Sequence, residues 1–405
     1  MGETLMQFDF TSIIDRSGTG ALAVDGLGMP GGFAPAAPQE GFDAIPLWVA
    51  DMSFAAPSCI TGAITRRVGH PLFGYFLNSD AYYDAIIDWH RRRKGVDDLT
   101  RECIGYENGV LGGVVSAICA FSAPADKILL HSPTYVGFTG SVERTGRVIE
   151  HSPLVLDDEG VWRMDFEDME RRLSENHIHL AIFCSPHNPC GRVWECWEIE
   201  RAMELFEKYQ CTVICDEIWS DLILPGHTHI PAQQVSQWAH DNTIALYAPS
   251  KTFNLAGLIG SYHVIYDQRL RDRVRSVSDA THYNSMNVLS QEALVGAYSD
   301  EGAAWLDELL QVIDANMTVA CDFFAGIDGV SLMRPEGTYM LFIDFAGWLE
   351  RHGKTLAELE EAAWRVGVAW QDGAMFHGPT HIRMNLALPT ARLQEAFHRL
   401  MSYVL

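Results

Sequence analysis

Between residues 59 and 285 the chain alternates short apolar runs with amphipathic helical stretches, and this alternation constrains the fold more than any other feature. The runs at 128–131, 147–151, 178–184, 212–215, 243–248 and 261–266 read as strands, with helices at 112–121 and 198–209 among the segments between them. A strand that is apolar along its whole length must be covered on both faces, and strand–helix–strand order sets neighbours parallel. The reading is an α/β domain built on a mainly parallel, buried sheet. After 285 the pattern changes. A helical stretch at 290–324, a strand at 339–345, a helix at 356–366 and a last strand near 381–386 predict a smaller α+β domain at 286–405. Residues 1–58, with a Gly-, Pro- and Ala-rich loop at 26–41, predict an N-terminal arm that also joins the small domain, leaving 59–285 as the large one. A chain of 405 residues is long enough to bury both cores.

Composition narrows the partners. With 53 acidic against 29 basic side chains the net charge is −24, which opposes binding to nucleic acid. No run approaches eighteen apolar residues and no basic segment precedes an apolar one at the start, so neither membrane spanning nor secretion is expected, and the reading is cytoplasmic. The nine cysteines are odd in number and mostly sit in apolar runs, as reduced core residues do. Cys184, Cys190 and Cys196 are evenly spaced but come with no C-x-x-C or H-x-x-x-H pattern, and Cys211 and Cys215 on one strand lie over ~13 Å apart. No metal site is expected.

In a parallel sheet ligands gather beyond the carboxyl ends of the strands. Four segments fall there: Ser132-Pro133-Thr134-Tyr135, Ser185-Pro186-His187-Asn188-Pro189-Cys190-Gly191, Asp216-Glu217, and Pro249-Ser250-Lys251-Thr252-Phe253. Taken singly, each has an ordinary reading: a solvated lysine, a helix-capping aspartate, an Asn-Pro turn. Together they bring an aromatic ring, an amide, a carboxylate and an amine to one rim.

That ordered set, continued by Ala256-Gly257-Leu258 and Ile382-Arg383-Met384-Asn385, resembles the fold-type I pyridoxal-phosphate (PLP) enzymes of the class I/II aminotransferase family. Phe8-Asp9-Phe10, Asp15-Arg16, Leu47-Trp48-Val49-Ala50-Asp51-Met52, Phe73-Gly74-Tyr75 and Ser250-Lys251-Thr252-Phe253-Asn254-Leu255-Ala256-Gly257 are similar to its MalY/PatB-like cystathionine β-lyase branch. The resemblance implies the aspartate aminotransferase-like fold, a PLP cofactor and an amino-acid substrate. It implies that Lys251 condenses with the cofactor aldehyde and, once displaced, removes the substrate α-proton. Asp216 would pair with the pyridine nitrogen; at ~4 Å and an effective dielectric of about 20 such a pair is worth roughly 4 kcal/mol. Asn188 would bond the ring hydroxyl and Tyr135 would stack on the ring. Val110, Leu111 and Gly112, opening a helix, would offer N–H groups to the phosphate, helped by Ser250. Arg383 would grip the substrate carboxylate as a fork, with a main-chain contact from Ala50. Tyr75 would complete the phosphate site of a neighbouring subunit, making a homodimer with shared sites.

The implied reaction is α,β-elimination from an L-cysteine S-conjugate such as cystathionine, giving pyruvate, ammonia and a thiol. An aminotransferase, which uses the same residues, stays open, as does a regulatory binding protein that keeps the fold and whose partner binding would survive loss of Lys251. The chain departs from the family pattern at several positions. Ile259 stands where many relatives carry a phosphate-binding Arg, Ala248 where aminotransferases often have Ser, and Trp219, which would line the cofactor site and dry it, where Tyr or His is usual. Gly18-Thr19-Gly20-Ala21-Leu22-Ala23 looks like a dinucleotide fingerprint but follows no strand, so it is not read as one.

Overall fold

Eight strands form the central sheet of the computed structural model, which describes residues 6–31, 33–282 and 285–405. Their spatial order is Ile104–Glu107, Ser261–Val264, Thr243–Tyr247, Thr212–Asp216, Leu180–Cys184, Lys127–Ser132, Val148–Leu156 and Trp162–Met164. The five strands from Thr243–Tyr247 to Val148–Leu156 pair in parallel. The outer pairings, to Ser261–Val264 on one side and Trp162–Met164 on the other, are antiparallel. Ser261–Val264 returns antiparallel to Thr243–Tyr247 through residues 248–260, which form turns and a 3-10 turn at Ala256–Leu258 but no α-helix of the kind that usually carries a parallel crossover. The short edge strands Ile104–Glu107 and Trp162–Met164 go beyond the strands read from the sequence.

The uniform apolarity of the strands has a direct cause. Leu129, Phe183, Val213 and Ala245 pack into one buried cluster, while their neighbours Leu130, Ile182, Ile214 and Leu246 pack into a second cluster. Helix Val110–Phe121 lies against this second cluster, and Gly113 allows the approach: a Cβ there would sit 2.7 Å from Leu246 Cδ2. Truncating Leu246, which is fully buried, costs ~2–5 kcal/mol by the usual scale of core deletions.

Two small sheets lie outside this one. Ile45–Pro46 pairs in parallel with Val368–Ala369. Met340–Asp344, His381–Asn385 and Gln371–Asp372 form an antiparallel sheet with the middle strand central. The stretch read as one helix over 290–324 is two, Val288–Ala297 and Asp300–Ala325. Ser299 breaks it by capping the second helix through the Gly302 N–H, and any side chain at Gly302 would collide with the Ala297 carbonyl. The arm is anchored: Gln7 and Phe8 donate their N–H groups to Glu308, and the buried Phe10 ring meets Phe54 and Trp305 at 5.3 and 5.5 Å. In the glycine run, Gly18 and Gly20 donate to the Asp25 carboxylate. Among the described residues no helix is long and apolar enough to cross a membrane.

Candidate active site

The parallel strands end at one level, with Cys184 opposite Asp216 and Asp216 opposite Leu246. Beyond that rim lies a cavity of about 340 Å³, lined among others by Tyr135, Asn188, Asp216, Trp219, Ser250 and Lys251. The four strand-end segments therefore meet in one hollow.

Asp216 and Glu217 are adjacent buried carboxylates with different surroundings. Glu217 accepts from His229 Nε2 at 2.8 Å, the Tyr247 hydroxyl at 2.7 Å and the Ala232 N–H at 2.9 Å, and these partners hold it in the charged form. Among the described residues the Asp216 carboxylate accepts only the Ile218 N–H, at 3.0 Å, and its burial pushes its pKa up to about 7. A buried carboxylate without a cation against it suits a ligand that brings its own positive charge.

The lysines separate in the same way. Lys94 is buried against Asp221 at 2.5 Å; Asp221 also takes the Trp89 N–H and, at 3.1 Å, the Thr252 hydroxyl. This network fixes the residue next to Lys251. Among the described residues Lys251 itself meets no carboxylate at hydrogen-bond distance; its Nζ donates to the Ala50 carbonyl at 2.9 Å. Burial, followed by the positive charge of Arg383, lowers its pKa to about 8. That puts a free amine within reach at neutral pH.

Arg383, on His381–Asn385, is buried with no anion hydrogen-bonded to it among the described residues. It donates to the Trp48 carbonyl at 2.9 Å, to Gln371 Oε1 at 2.5 Å and weakly to Asn188 Oδ1 at 3.4 Å. The guanidinium sits 4.1 Å from the Phe376 ring, and Nε has no partner. Burial depresses its pKa to about 10. An unpaired buried guanidinium is costly unless an anion arrives, and a carboxylate matches its fork.

Helix Val110–Phe121 starts after Gly109, whose φ of +77° favours glycine. Its first turn bond runs from Gly113 N–H to the Gly109 carbonyl, so the N–H groups of Val110, Leu111 and Gly112 stand at the open end of the helix. Val110 and Leu111 line the cavity with Asn108 and Gly109; Gly112 lines the neighbouring hollow instead. Asn108 and Gly109 were missed in the sequence, although a Gly before an apolar helix was a usable signal.

The Ala50 carbonyl is occupied by Lys251 and, at 3.0 Å, by the Tyr339 hydroxyl; its N–H is the main-chain group able to donate to a substrate carboxylate. Tyr75 does not reach the cavity of its own chain: it is fully exposed, in a segment where Leu72, Phe73 and Leu77 are exposed too. Tyr339 and Gln371 were not foreseen, and Asn254 and Asn385 were read only as motif residues, without a role. Asn385 donates to the Val49 and Asp51 carbonyls, Asn254 pairs with both backbone groups of Met52, and Arg16 bridges to Asp51, so residues 49–52 are pinned over the cavity. His187 Nε2 donates to the Pro133 carbonyl at 2.7 Å, tying the Asn188 loop to the Tyr135 loop. Ile259 borders the cavity as an apolar residue, so any phosphate there depends on the helix N–H groups and Ser250.

This donor set fits PLP: an amine for the aldehyde, an unpaired carboxylate for the ring nitrogen, helix N–H groups for the phosphate, and an unpaired guanidinium for a substrate carboxylate. The family profile described as aminotransferase class I and II matches residues 47–400. The chain is 36% identical over 362 residues to cystathionine beta-lyase PatB of Bacillus subtilis, covering 88% of this chain and 92% of that one. It is 29% identical over 398 residues to protein MalY of Escherichia coli, covering 96% of each. The crystal structure of cystalysin from Treponema denticola, which contains PLP, superposes with a TM-score of 0.89 at 30% identity, covering 98% of both chains.

Proposed function

This chain belongs to the class I and II aminotransferase family, and on that premise we propose that it is a PLP-dependent carbon–sulfur β-lyase acting on cystathionine or other L-cysteine S-conjugates. One observation carries the chemistry: Lys251 and Asp216 line one cavity with the buried Arg383 near it, and among the described residues neither Asp216 nor Arg383 has an oppositely charged group hydrogen-bonded to it. PLP, when bound, supplies the electron sink for the carbon that loses its proton. Asp216 would favour a positively charged ring nitrogen, Asn188 and Tyr135 would hold the ring, and Arg383 would set the substrate carboxylate. Lys251 Nζ takes the α-proton, and Trp219 and Tyr339, both buried, keep water from that amine. The sulfur leaves with its electron pair as a thiolate, and the released enamine hydrolyses to pyruvate and ammonia.

The test is thiol release from L-cystathionine, or from another L-cysteine S-conjugate, with no 2-oxo acid added. Stoichiometric thiol, pyruvate and ammonia are expected. Absence of thiol, together with full conversion of the cofactor to its amine form by L-alanine or L-glutamate, would replace the lyase with an aminotransferase.

The proposal extends to a homodimer with shared sites. Tyr75 and its exposed apolar neighbours are supporting observations, as is the hollow lined by Leu111, Gly112, Val136 and Gly137 beside the phosphate turn. Mixed Lys251→Ala and Tyr75→Ala proteins should recover activity. A hybrid dimer holds one intact site, so full exchange should give about a quarter of wild-type turnover. No recovery despite exchange, followed by mass spectrometry, would place the tyrosine's action in its own subunit or nowhere. A large domain at 59–285 and a small one from both chain ends belong to the same reading; the central sheet draws all its strands from the former and both small sheets draw theirs from the latter. So does a cytoplasmic location, which the nine free thiols favour.

A further inference from the structure

The contacts of the Lys251 amine form a closed circuit. Nζ donates to the Ala50 carbonyl at 2.9 Å and lies 5.7 Å from the centre of the Trp219 ring. The same carbonyl accepts the Tyr339 hydroxyl, and the Tyr339 ring meets the Trp219 ring edge to face at 4.7 Å and 76°. Trp219 is 2% exposed and Tyr339 is fully buried, so this wall is dry. We propose that Trp219 is a positioning residue: its indole face and the Ala50 carbonyl form a cradle that holds the Lys251 amine, as the ammonium, whenever it is not bonded to the cofactor.

The inference rests on reading Lys251 as the reacting amine. Charged groups face it from three directions. Arg383, from the strand His381–Asn385, opposes the ammonium; Asp216, from the end of Thr212–Asp216, and Asp51, from the pinned 49–52 segment, favour it. None of the three is hydrogen-bonded to Nζ. What touches the amine is a carbonyl dipole and a π face, and a π face attracts a cation more strongly where water is excluded. Tyr or His, the residues the family resemblance leads one to expect at this position, present a smaller face. An ammonium held here keeps its proton while the thiolate departs, the order elimination requires.

The chain has only five lysines, so each can be followed separately by mass spectrometry. The experiment is competitive acetylation by trace acetic anhydride across pH, on the full chain before cofactor loading, with near-ultraviolet circular dichroism to confirm the fold. Replacing Trp219 by Leu should lower the Lys251 midpoint by about one pH unit, or tenfold in proton affinity, whereas Trp219→Phe should keep most of it. Should the Leu variant not fold, 5-fluorotryptophan in place of all 11 tryptophans keeps the shape, weakens the ring faces and should shift the midpoint in the same direction. An unmoved midpoint in the Leu variant, or in the fluorinated protein, overturns the cradle. Borohydride labelling of the loaded enzyme away from Lys251 removes the parent reading as well, which keeps the two failures distinct.

Discussion

Replacing Lys251 by alanine should lower turnover by about 10⁴-fold or more, because one side chain serves both as cofactor anchor and as general base. The loaded wild-type protein should show a visible absorbance band that the variant lacks, and borohydride should fix the cofactor to Lys251 alone. The other lysines are committed elsewhere. Lys94 is locked to Asp221, Lys127 bonds Glu150 and Asn176, Lys208 pairs with Glu170 at the surface, and Lys354 lies over Trp348. Peptide mapping that puts the label on Lys127, Lys208 or Lys354 would sink the assignment.

Asp216→Ala should reduce turnover by about 10³-fold, the equivalent of losing a ~4 kcal/mol charge pair with the ring nitrogen, while some cofactor is retained. Near-normal activity would show that the carboxylate is structural. Glu217 should behave in the opposite way. Removing it strands the buried His229 and the Tyr247 hydroxyl, at a cost of about 3–5 kcal/mol in urea unfolding. A pH signature accompanies Asp216. Its folded pKa, about 7, lies above the reference value of 3.8, so the folded protein binds more protons than the unfolded chain between those limits. Its contribution therefore lowers stability as pH rises through that window. Before cofactor is added, Asp216→Asn should be the more stable protein at pH 8, by a few kcal/mol, and equal to wild type below pH 4. A wild type as stable as the Asn variant at pH 8 would mean that Asp216 already has a cationic partner.

The sequence by itself determined the sheet and the place of the site. Burial on both faces writes itself into a strand as unbroken apolarity, as in Leu180–Cys184 and Thr243–Tyr247, and parallel order fixes which ends converge. Asn188, Asp216 and Lys251 could be placed on one rim because Asp216 ends such a strand and Asn188 and Lys251 each stand four residues past one. The break at Ser299 was less so, since the apolar period continues across it and only a cap and one glycine clash interrupt the helix. Tertiary structure alone decided how the neighbouring carboxylate is satisfied, because His229 and Tyr247 reach Glu217 from separate segments. It likewise decided that the Ala50 carbonyl belongs to Lys251 and Tyr339, residues 201 and 289 positions away. A backbone carbonyl leaves no trace in the residue that carries it. Its partner is set by how two distant segments pack, and no local pattern of apolarity or charge records that distance.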